Sequence, residues 1–465
     1  MGLFGTSGIR GIYGTEITPE FALRLGLAIS SHLRSKGKVL LGGDCRLTTH
    51  VLKLSLASGL TSGGVSVLDA GMIPLPVLTY GVVRNSLSGG IYVTASHNPP
   101  EYNGIKIFDS NGVELRSEDE MVLEEIIERG LHSYVDWQAV GSYVTFEGLV
   151  DDYINDLAAK LMPRKVVKKV RVVVDAANCV TSLVTPKVLT RFGSYVQTLN
   201  SNVDGRFPGR EPEPRPDVLS PYLSVVRELG GDIFLAHDGD GDRLAVIDPS
   251  EGFVKQDRLI ALMFKYRLIE SAGKVVASVD CGNAVKEVVD RYGGELIISK
   301  LGRIHEALIK HKAIIAAEPW KLIEPSWGYW IDSIYQAGLI VKIMMEEGKN
   351  LRQLMEDIPN FAQARYSIKV AGDLKLGLYE HLRSYLEGIS ANREGVIDID
   401  GYRVNYLDGS WILIRPSGTE PKVRIYCEAR TVDRLKELTD KILSKSKEYL
   451  NSKGLKLEVD GMLIP

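Results

Sequence analysis

The sequence predicts an α/β protein of four domains: three built from βαβ units in mixed sheets, then a C-terminal α+β domain. Length gives the number, since 465 residues are too many for one core and suggest about three or four domains. A repeated layout gives the type. "KVLLGGD" from Lys38, "KVRVVVD" from Lys169 and "KVVASVD" from Lys274 each open on Lys-Val and run an apolar strand to an aspartate. Each is followed by small and polar residues suited to a helix start, an amphipathic helix, a glycine and a second short strand: "GGVSVLDAG", "GSYVQTLN" and "GGELIISK". Strand, helix and strand in that order predict parallel pairing with a right-handed crossover. A change of style after about residue 365 gives the fourth domain. "YSIKVAG", "GVIDIDGYRVNYLDGSWILIRPSG" and "KVRIYCEAR" alternate apolar and polar residues around Asp-Gly turns, as a half-exposed antiparallel sheet does. The final "VDRLKELTDKILSKSKEYLNS" repeats Leu and Ile at helical spacing and should cover that sheet. The expected domains are 1–150, 151–250, 251–364 and 365–465.

Composition excludes several classes of function. Hydrophobic content of 45% and charged content of 25% are those of an ordinary globular chain. A net charge of −3 advertises neither nucleic acid nor an anionic membrane as partner. The four cysteines, Cys45, Cys179, Cys281 and Cys427, form no CxxC pair, which argues against structural zinc and a disulfide scaffold. No apolar run approaches membrane-spanning length and no signal-peptide core is visible, so the expected location is the cytoplasm.

The stretch "IYVTASHNPPEYNGIKIF", residues 91–108, ends a β-branched run in Thr94-Ala95-Ser96-His97-Asn98 and stops at two prolines. Such a sequence is either an ordinary polar turn or a hydroxyl held at a strand end for covalent chemistry. "IFLAHDGDGDRLAVID", residues 233–248, runs a buried strand into Asp238, Asp240 and Asp242 with glycines between. The glycines let the backbone curl until all three carboxylates face one point. Two such charges about 4 Å apart repel by about 1 to 4 kcal/mol, a cost a divalent cation removes. Hard oxygen ligands favour magnesium or calcium. An EF-hand fails, because its sixth position is Arg243 and its twelfth is Pro249. Magnesium keeps coordination sites for phosphate oxygens, which points to phosphoryl transfer.

Two further loops suit phosphate. In "IRPSGTEPKVRIY", residues 414–426, Arg415, Ser417, Thr419 and the amides around Gly418 make a nest of donors, with Arg424 nearby. "GTSGIRG", residues 5–11, is a second glycine-spaced loop, carrying Arg10.

Together, "GTSGIRG", "TASHNP", "NGIKIF", "DGDGDR" and "RPSGTEP", in this order, resemble the α-D-phosphohexomutases: phosphomannomutase, phosphoglucomutase and phosphoglucosamine mutase. "DGRFPGREPEP" (204–214) also looks like the family's glycine-proline segment, and the resemblance covers nearly the whole chain. It implies three related α/β domains and a fourth around a central cleft. It implies that Ser96 carries phosphate in the resting enzyme, that Ser96, Asp238, Asp240 and Asp242 hold Mg²⁺, and that Arg243 lies beside them. A hexose 1,6-bisphosphate is the implied intermediate and activator. The loop of Arg415, Ser417, Gly418 and Thr419 is implied to grip the non-reacting phosphate, with Arg424 as a lesser candidate. Lys106 in "NGIKIF" matches an active-site lysine by position and, with Arg10, would polarise the reacting oxygens; on an extended alternating segment it also reads as a solvated lysine. His97 adjoins Ser96, but neighbouring side chains on an extended strand point apart, so it is expected to orient rather than to act as a base.

The resemblance departs at one place. The family's Gly-Glu-x-Ser-Gly sugar loop is here "AIIAAEPWKLIEPSWGYW", which keeps Glu318 but has Ala317, Trp320 and Lys321 in place of glycine, serine and glycine. Glu318 can accept two sugar hydroxyls. Trp320 either stacks on a pyranose face or packs, and Lys321 can contact phosphate or an acidic sugar. "WIDSIYQAG" keeps Asp332 but has Ser333 where glycine is usual, and Arg303 falls where a sugar contact often sits. The expected activity is a magnesium-dependent phosphomannomutase/phosphoglucomutase. Phosphoglucosamine mutase and a non-catalytic phosphosugar-binding paralogue are the alternatives, and a phosphatase is a distant third. The expected partner is a small sugar phosphate, with no nucleic acid or membrane, acting on a monomer or homodimer.

Overall fold

The computed structural model describes residues 3–5, 8–370, 372–389, 392–418 and 420–464. It divides into two compact units, Met1–Gln256 with Trp320–Met355 and Asp257–Pro319 with Glu356–Pro465.

The first unit holds two sheets. In the larger, the strands run in the order Ile9–Ile12, Tyr102–Phe108, Gly89–Val93, Lys38–Gly43, Ser66–Met72 and Tyr143–Thr145. Pairing is antiparallel across the first three and parallel from Gly89–Val93 onward, which makes the sheet mixed. Its central strands are apolar on both faces because helices cover them: Pro19–His32 and Thr49–Ser62 pack Leu25, Ile29, Leu52, Leu56 and Leu60 against Val39, Leu41 and Ile91 on one face, and Leu75–Arg84 lies against Leu40, Gly42 and Gly90 on the other. Thr18 caps the first of these helices, its hydroxyl accepting from Phe21 N at 3.1 Å. The second sheet orders Gly252–Phe253, Leu244–Asp248, Ile233–His237, Arg171–Asp175 and Tyr195–Leu199. Ile233–His237 is parallel to Arg171–Asp175 and antiparallel to Leu244–Asp248, so a tight connection between antiparallel neighbours carries the acidic loop. A short strand, Lys321–Ile323, and the helix Ser333–Glu347 complete the unit.

In the second unit Glu295–Ser299, Lys274–Ser278 and Ile315–Glu318 pair in parallel, with Asn283–Arg291 and Ile304–His311 as helices between them. The C-terminal sheet is antiparallel throughout, in the order Arg393–Ile397, Tyr402–Tyr406, Trp411–Pro416, Lys422–Ala429, Ala362–Lys369 and Val459–Ile464. The helix Val432–Ser452 covers it as its spacing requires, burying Leu435, Leu438, Ile442 and Leu450. A second covering helix, Gly372–Gly388, contributes Leu378, Leu382 and Leu386. The expected α/β class, with three βαβ-type sheets and an α+β fourth, is borne out.

Candidate active site in the first unit

Ser96 follows a fully buried strand, Gly89–Val93, and does not continue it. Thr94 Oγ1 accepts from the Ser96 amide at 2.7 Å and donates to Asp44 Oδ2 at 2.7 Å, which closes a turn. Ser96 itself takes φ +51°, a left-handed conformation that costs a non-glycine residue about 1 kcal/mol or more. One cation holds this turn in place. Arg46, buried, donates to the carbonyls of Ser96 (3.0 Å), Asn98 (2.6 Å), Pro99 (2.5 Å) and Tyr102 (2.9 Å), and pairs with Asp44 at 3.0 Å. The Phe207 ring, from the glycine-proline segment, lies 5.0 Å from the Arg46 guanidinium carbon.

The acidic loop meets this turn directly. Ser96 Oγ donates to Asp238 Oδ2 at 2.7 Å, and both groups are buried. Asp238 Oδ1 accepts from the amides of Gly241 and Arg243, each at 3.1 Å, which curls the loop. A side chain at Gly239 would place its Cβ 2.5 Å from the Ser96 carbonyl, and Gly241 has φ +80°. Glycine at both positions therefore lets the two segments touch. Behind the loop, Arg210 donates to the His237 carbonyl at 2.6 Å and pairs with Asp175 at 2.9 Å.

Lys106 settles one ambiguity of the sequence. It lies opposite Tyr92 in the sheet, only 1% exposed, and its Nζ reaches Asp240 Oδ2 and Asp242 Oδ2 at 2.8 Å each. The solvated reading fails because the acidic loop covers that face. Burial opposes the charge on Lys106, but Asp240 and Asp242 outweigh it and hold its pKa above the ordinary lysine value. His97 corrects another expectation. The turn at Ser96 abolishes the strand alternation that would point the two side chains apart, and His97 Nδ1 lies 3.3 Å from Ser96 Oγ. Burial, with Arg243 and Arg10 nearby, holds His97 well below the usual histidine range, so it is neutral. Arg10 sits on the edge strand Ile9–Ile12 and donates to Asn98 Oδ1 at 3.1 Å. Arg243 lies 3.9 Å from Asp242 and 3.4 Å from Glu213.

Carboxylate oxygens of Asp238, Asp240 and Asp242 lie within 4.8 Å of one another. Burial and the repulsion of Asp240 and Asp242 push Asp238 well above the usual carboxylate range. Asp242 is driven the other way: burial disfavours its charge, but Lys106, Lys321 and Arg243 hold it well below that range. Asp240 Oδ1 and Asp242 Oδ1 are buried without a hydrogen-bond partner. Unsatisfied, clustered, hard oxygens fit a divalent cation such as magnesium.

The other expected residues lie in the second unit, apart from Trp320, Lys321, Asp332 and Ser333. Glu318 Oε2 accepts from Gly302 N at 2.6 Å, which joins it to the turn before Arg303. Asp400 connects that turn to the donor loop: it accepts from Leu301 N at 3.1 Å and pairs with Arg415 Nε at 2.7 Å. Ser417 Oγ accepts from Glu420 N at 3.2 Å, Ser417 O accepts from Lys375 Nζ at 2.7 Å, and Arg424 pairs with Glu420 at 2.9 Å. Gly418 lies in this loop; Thr419, like Thr6 and Ser7 of the first loop, lies outside the described residues. Of the two readings of Trp320, the geometry supports packing: its ring meets Phe253 at 5.5 Å, against the core of the second sheet.

Sequence reasoning missed Arg46, Asp400 and Arg210. "GGDCRL" and "DIDGYR" carried two of them in plain view as strand-end and turn residues, but most of their partners are backbone groups, which leave no signature in sequence.

Four descriptions of one family match the chain: "Phosphoglucomutase/phosphomannomutase, alpha/beta/alpha domain I" over residues 1–133, domain II over 151–252, domain III over 255–361 and the C-terminal domain over 345–445. A protein of Thermococcus kodakarensis named "Phosphopentomutase" is 40% identical over 440 residues, covering 94% of this chain and 96% of its own. One of Methanopyrus kandleri named "Probable phosphoglucosamine mutase" is 37% identical over 446 residues, covering 95% and 96%. The crystal structure of a phosphoglucomutase/phosphomannomutase family protein from Burkholderia thailandensis superposes with a TM-score of 0.87 at 26% identity, over 98% of each chain.

Proposed function

Because this chain belongs to the phosphoglucomutase/phosphomannomutase family, and so is a phosphosugar mutase, we propose that it interconverts a hexose 1-phosphate and a hexose 6-phosphate through a phosphorylated Ser96. Phosphomannomutase/phosphoglucomutase activity is the first expectation. The observation that carries the reading is the 2.7 Å bond from Ser96 Oγ to Asp238, beside the buried Asp240, Asp242 and Lys106.

In the first half-reaction a hydroxyl of the sugar monophosphate attacks the phosphorus on Ser96. The new P–O bond forms to the sugar, the P–Oγ bond breaks, the attacking hydroxyl gives up its proton and Ser96 regains one. The sugar bisphosphate turns over in the site. Ser96 Oγ then attacks the other phosphate and releases the isomer, so phosphate and protons balance over the cycle. Neutral His97, 3.3 Å from Ser96 Oγ, would orient the serine oxygen, while the proton given up by the attacking hydroxyl is balanced by the one the leaving oxygen regains. Arg10 and Lys106 fix positive charge beside the phosphoryl oxygens. Asp238, Asp240 and Asp242, with an oxygen on Ser96, are the residues to hold magnesium. When bound, the ion neutralises phosphoryl charge. Arg415, Ser417, Gly418 and Thr419, with Arg424, would grip the non-reacting phosphate, while Glu318 and Arg303 meet sugar hydroxyls. No role on the sugar is retained for Trp320.

A second reading, a pentose phosphate as substrate, is favoured by the relative named phosphopentomutase and by the altered loop at Glu318. The divisions at residues 150, 250 and 364, the bisphosphate activator, a monomeric or dimeric state and a cytoplasmic location complete the proposal. No helix among the described residues is long and apolar enough to cross a membrane.

The test is a panel of glucose, mannose, glucosamine and ribose 1-phosphates with Mg²⁺ and a trace of glucose 1,6-bisphosphate, scored by kcat/KM. One phosphate on the Ser96 peptide by mass, and no turnover by Ser96→Ala, are expected. No turnover of any substrate by wild type would leave the non-catalytic alternative, and full turnover by Ser96→Ala would remove the covalent route.

A further inference from the structure

Lys321 enters the same centre from a different part of the chain. It follows Trp320, which takes φ +77°, a conformation that costs a bulky residue of order 1–3 kcal/mol. Three contacts impose it. The Trp320 amide donates to Gln256 Oε1 at 2.9 Å, its carbonyl accepts from Leu244 N at 3.1 Å, and its ring packs on Phe253. Leu244 stands two residues past Asp242, so this strained residue is fastened to the exit of the acidic loop. The result is that the next side chain, Lys321, lies inward at 9% exposure with Nζ 3.6 Å from Asp242 Oδ2.

That carboxylate oxygen already accepts a hydrogen bond from Lys106 at 2.8 Å. With Lys106 on both Asp240 and Asp242 and Arg243 3.9 Å from Asp242, their two charges are met without a second ammonium. Around the three loop carboxylates and Glu213, which pairs with Arg243, the centre gathers four cations, Arg10, Lys106, Arg243 and Lys321, and a divalent metal would add two more charges. The surplus is explained by a doubly charged group that comes and goes, which is what a phosphoryl group on Ser96 is.

We propose that Lys321 is a further catalytic residue of the phosphoryl-transfer centre, its ammonium contacting the phosphoryl group as it passes between Ser96 and the sugar oxygen. The contact reads the moving charge and not the hydroxyl pattern of the sugar. It is thus independent of whether the sugar is a hexose or a pentose. The inference rests on the mutase reading, which it deepens.

The experiment compares wild type, Lys321→Met and Lys321→Arg on glucose 1-phosphate and ribose 1-phosphate, with rapid-quench measurement of phosphate leaving phospho-Ser96 to glucose 6-phosphate. Thermal melts check folding. Loss of one preorganised electrostatic contact costs about 100-fold in rate. Lys321→Met is expected to slow discharge and kcat by about that factor, equally on every sugar the wild type accepts, with KM changed less than about threefold, and Lys321→Arg to recover at least a tenth of the loss. An active wild type matched by Lys321→Met overturns the inference alone. So does a loss confined to one sugar, or one that Lys321→Arg fails to rescue while melting like wild type. A wild type that exchanges phosphate with no sugar overturns the mutase reading, and this inference with it.

Discussion

Ser333 donates its hydroxyl to the Gly241 carbonyl at 2.6 Å and so tethers the middle of the acidic loop to the start of the helix Ser333–Glu347. Its oxygen is also 2.8 Å from His237 Nδ1, and His237 Nε2 is 3.1 Å from the Thr185 hydroxyl. Since the Ser333 proton goes to Gly241, His237 must donate from Nδ1 and accept at Nε2. It is therefore neutral, in keeping with burial that pushes its pKa down to about 3. A residue that reads as a departure from the family's glycine thus fastens the loop.

Replacing Ser333 by glycine should loosen that loop without touching a carboxylate. Removing a group that orients metal ligands typically costs 10- to 100-fold in metal affinity. A shift of about tenfold in the Mg²⁺ concentration for half-maximal activity is expected, with a loss of about 1–3 kcal/mol in urea unfolding from the unpaired His237 and Gly241 groups. An unchanged Mg²⁺ titration would show that the tether is only structural.

The three clustered carboxylates predict stabilisation by metal. A ligand at 100 times its Kd adds about 2.7 kcal/mol to folding. The melting temperature of wild type should rise with added Mg²⁺ and fall with a chelator, whereas Asp240→Asn/Asp242→Asn should barely respond. Differential scanning fluorimetry decides it, and an equal response of both proteins would move the metal elsewhere.

Arg46 should be the least replaceable residue outside the reacting groups. Lysine keeps the charge but not the planar fork that reaches four carbonyls. Arg46→Lys is expected to cost about 3 kcal/mol or more, at about 1.5–3 kcal/mol for each bond to a charged group. Phosphate on Ser96, read by intact mass, should drop in parallel.

A buried carboxyl pair in the second unit gives a pH signature. Gln363 Nε2 donates to both Asp257 and Glu428. Burial raises both carboxyls above their ordinary values; Asp257 adds to the rise at Glu428, and Arg365 and Gln363 only partly offset it at Asp257. A raised carboxyl binds its proton more tightly in the folded state. Its contribution to stability is therefore fullest below about pH 4 and is lost as the pH climbs through the raised value. Asp257→Asn removes that loss, so its unfolding free energy relative to wild type should increase from pH 4.5 to pH 8. A difference flat with pH in urea melts would mean both carboxyls ionise normally.

Much of this was legible in the sequence, and the exceptions share a cause. The Lys-Val strands, the acidic loop and the C-terminal sheet are local patterns, so periodicity and turn residues disclosed them. Lys106 was ambiguous because its burial is decided by aspartates more than 130 positions away. The orientation of His97 was misjudged because a strand rule was carried to Ser96 and His97, three and four residues past the strand end at Val93, where Thr94 and Arg46 bend the chain. Trp320 offered two readings because a ring that packs and a ring that stacks on sugar have the same sequence signature; Phe253 separates them.

The Arg46 clamp has a bearing on the life of the protein between turnovers. A bend whose carbonyls converge on one guanidinium owes nothing to what the serine oxygen carries. On the proposed route, the polypeptide around Ser96 would gain and shed a dianion without rebuilding itself. A molecule that lost its phosphate to hydrolysis would then be an intact, idle one, open to reloading by a sugar bisphosphate.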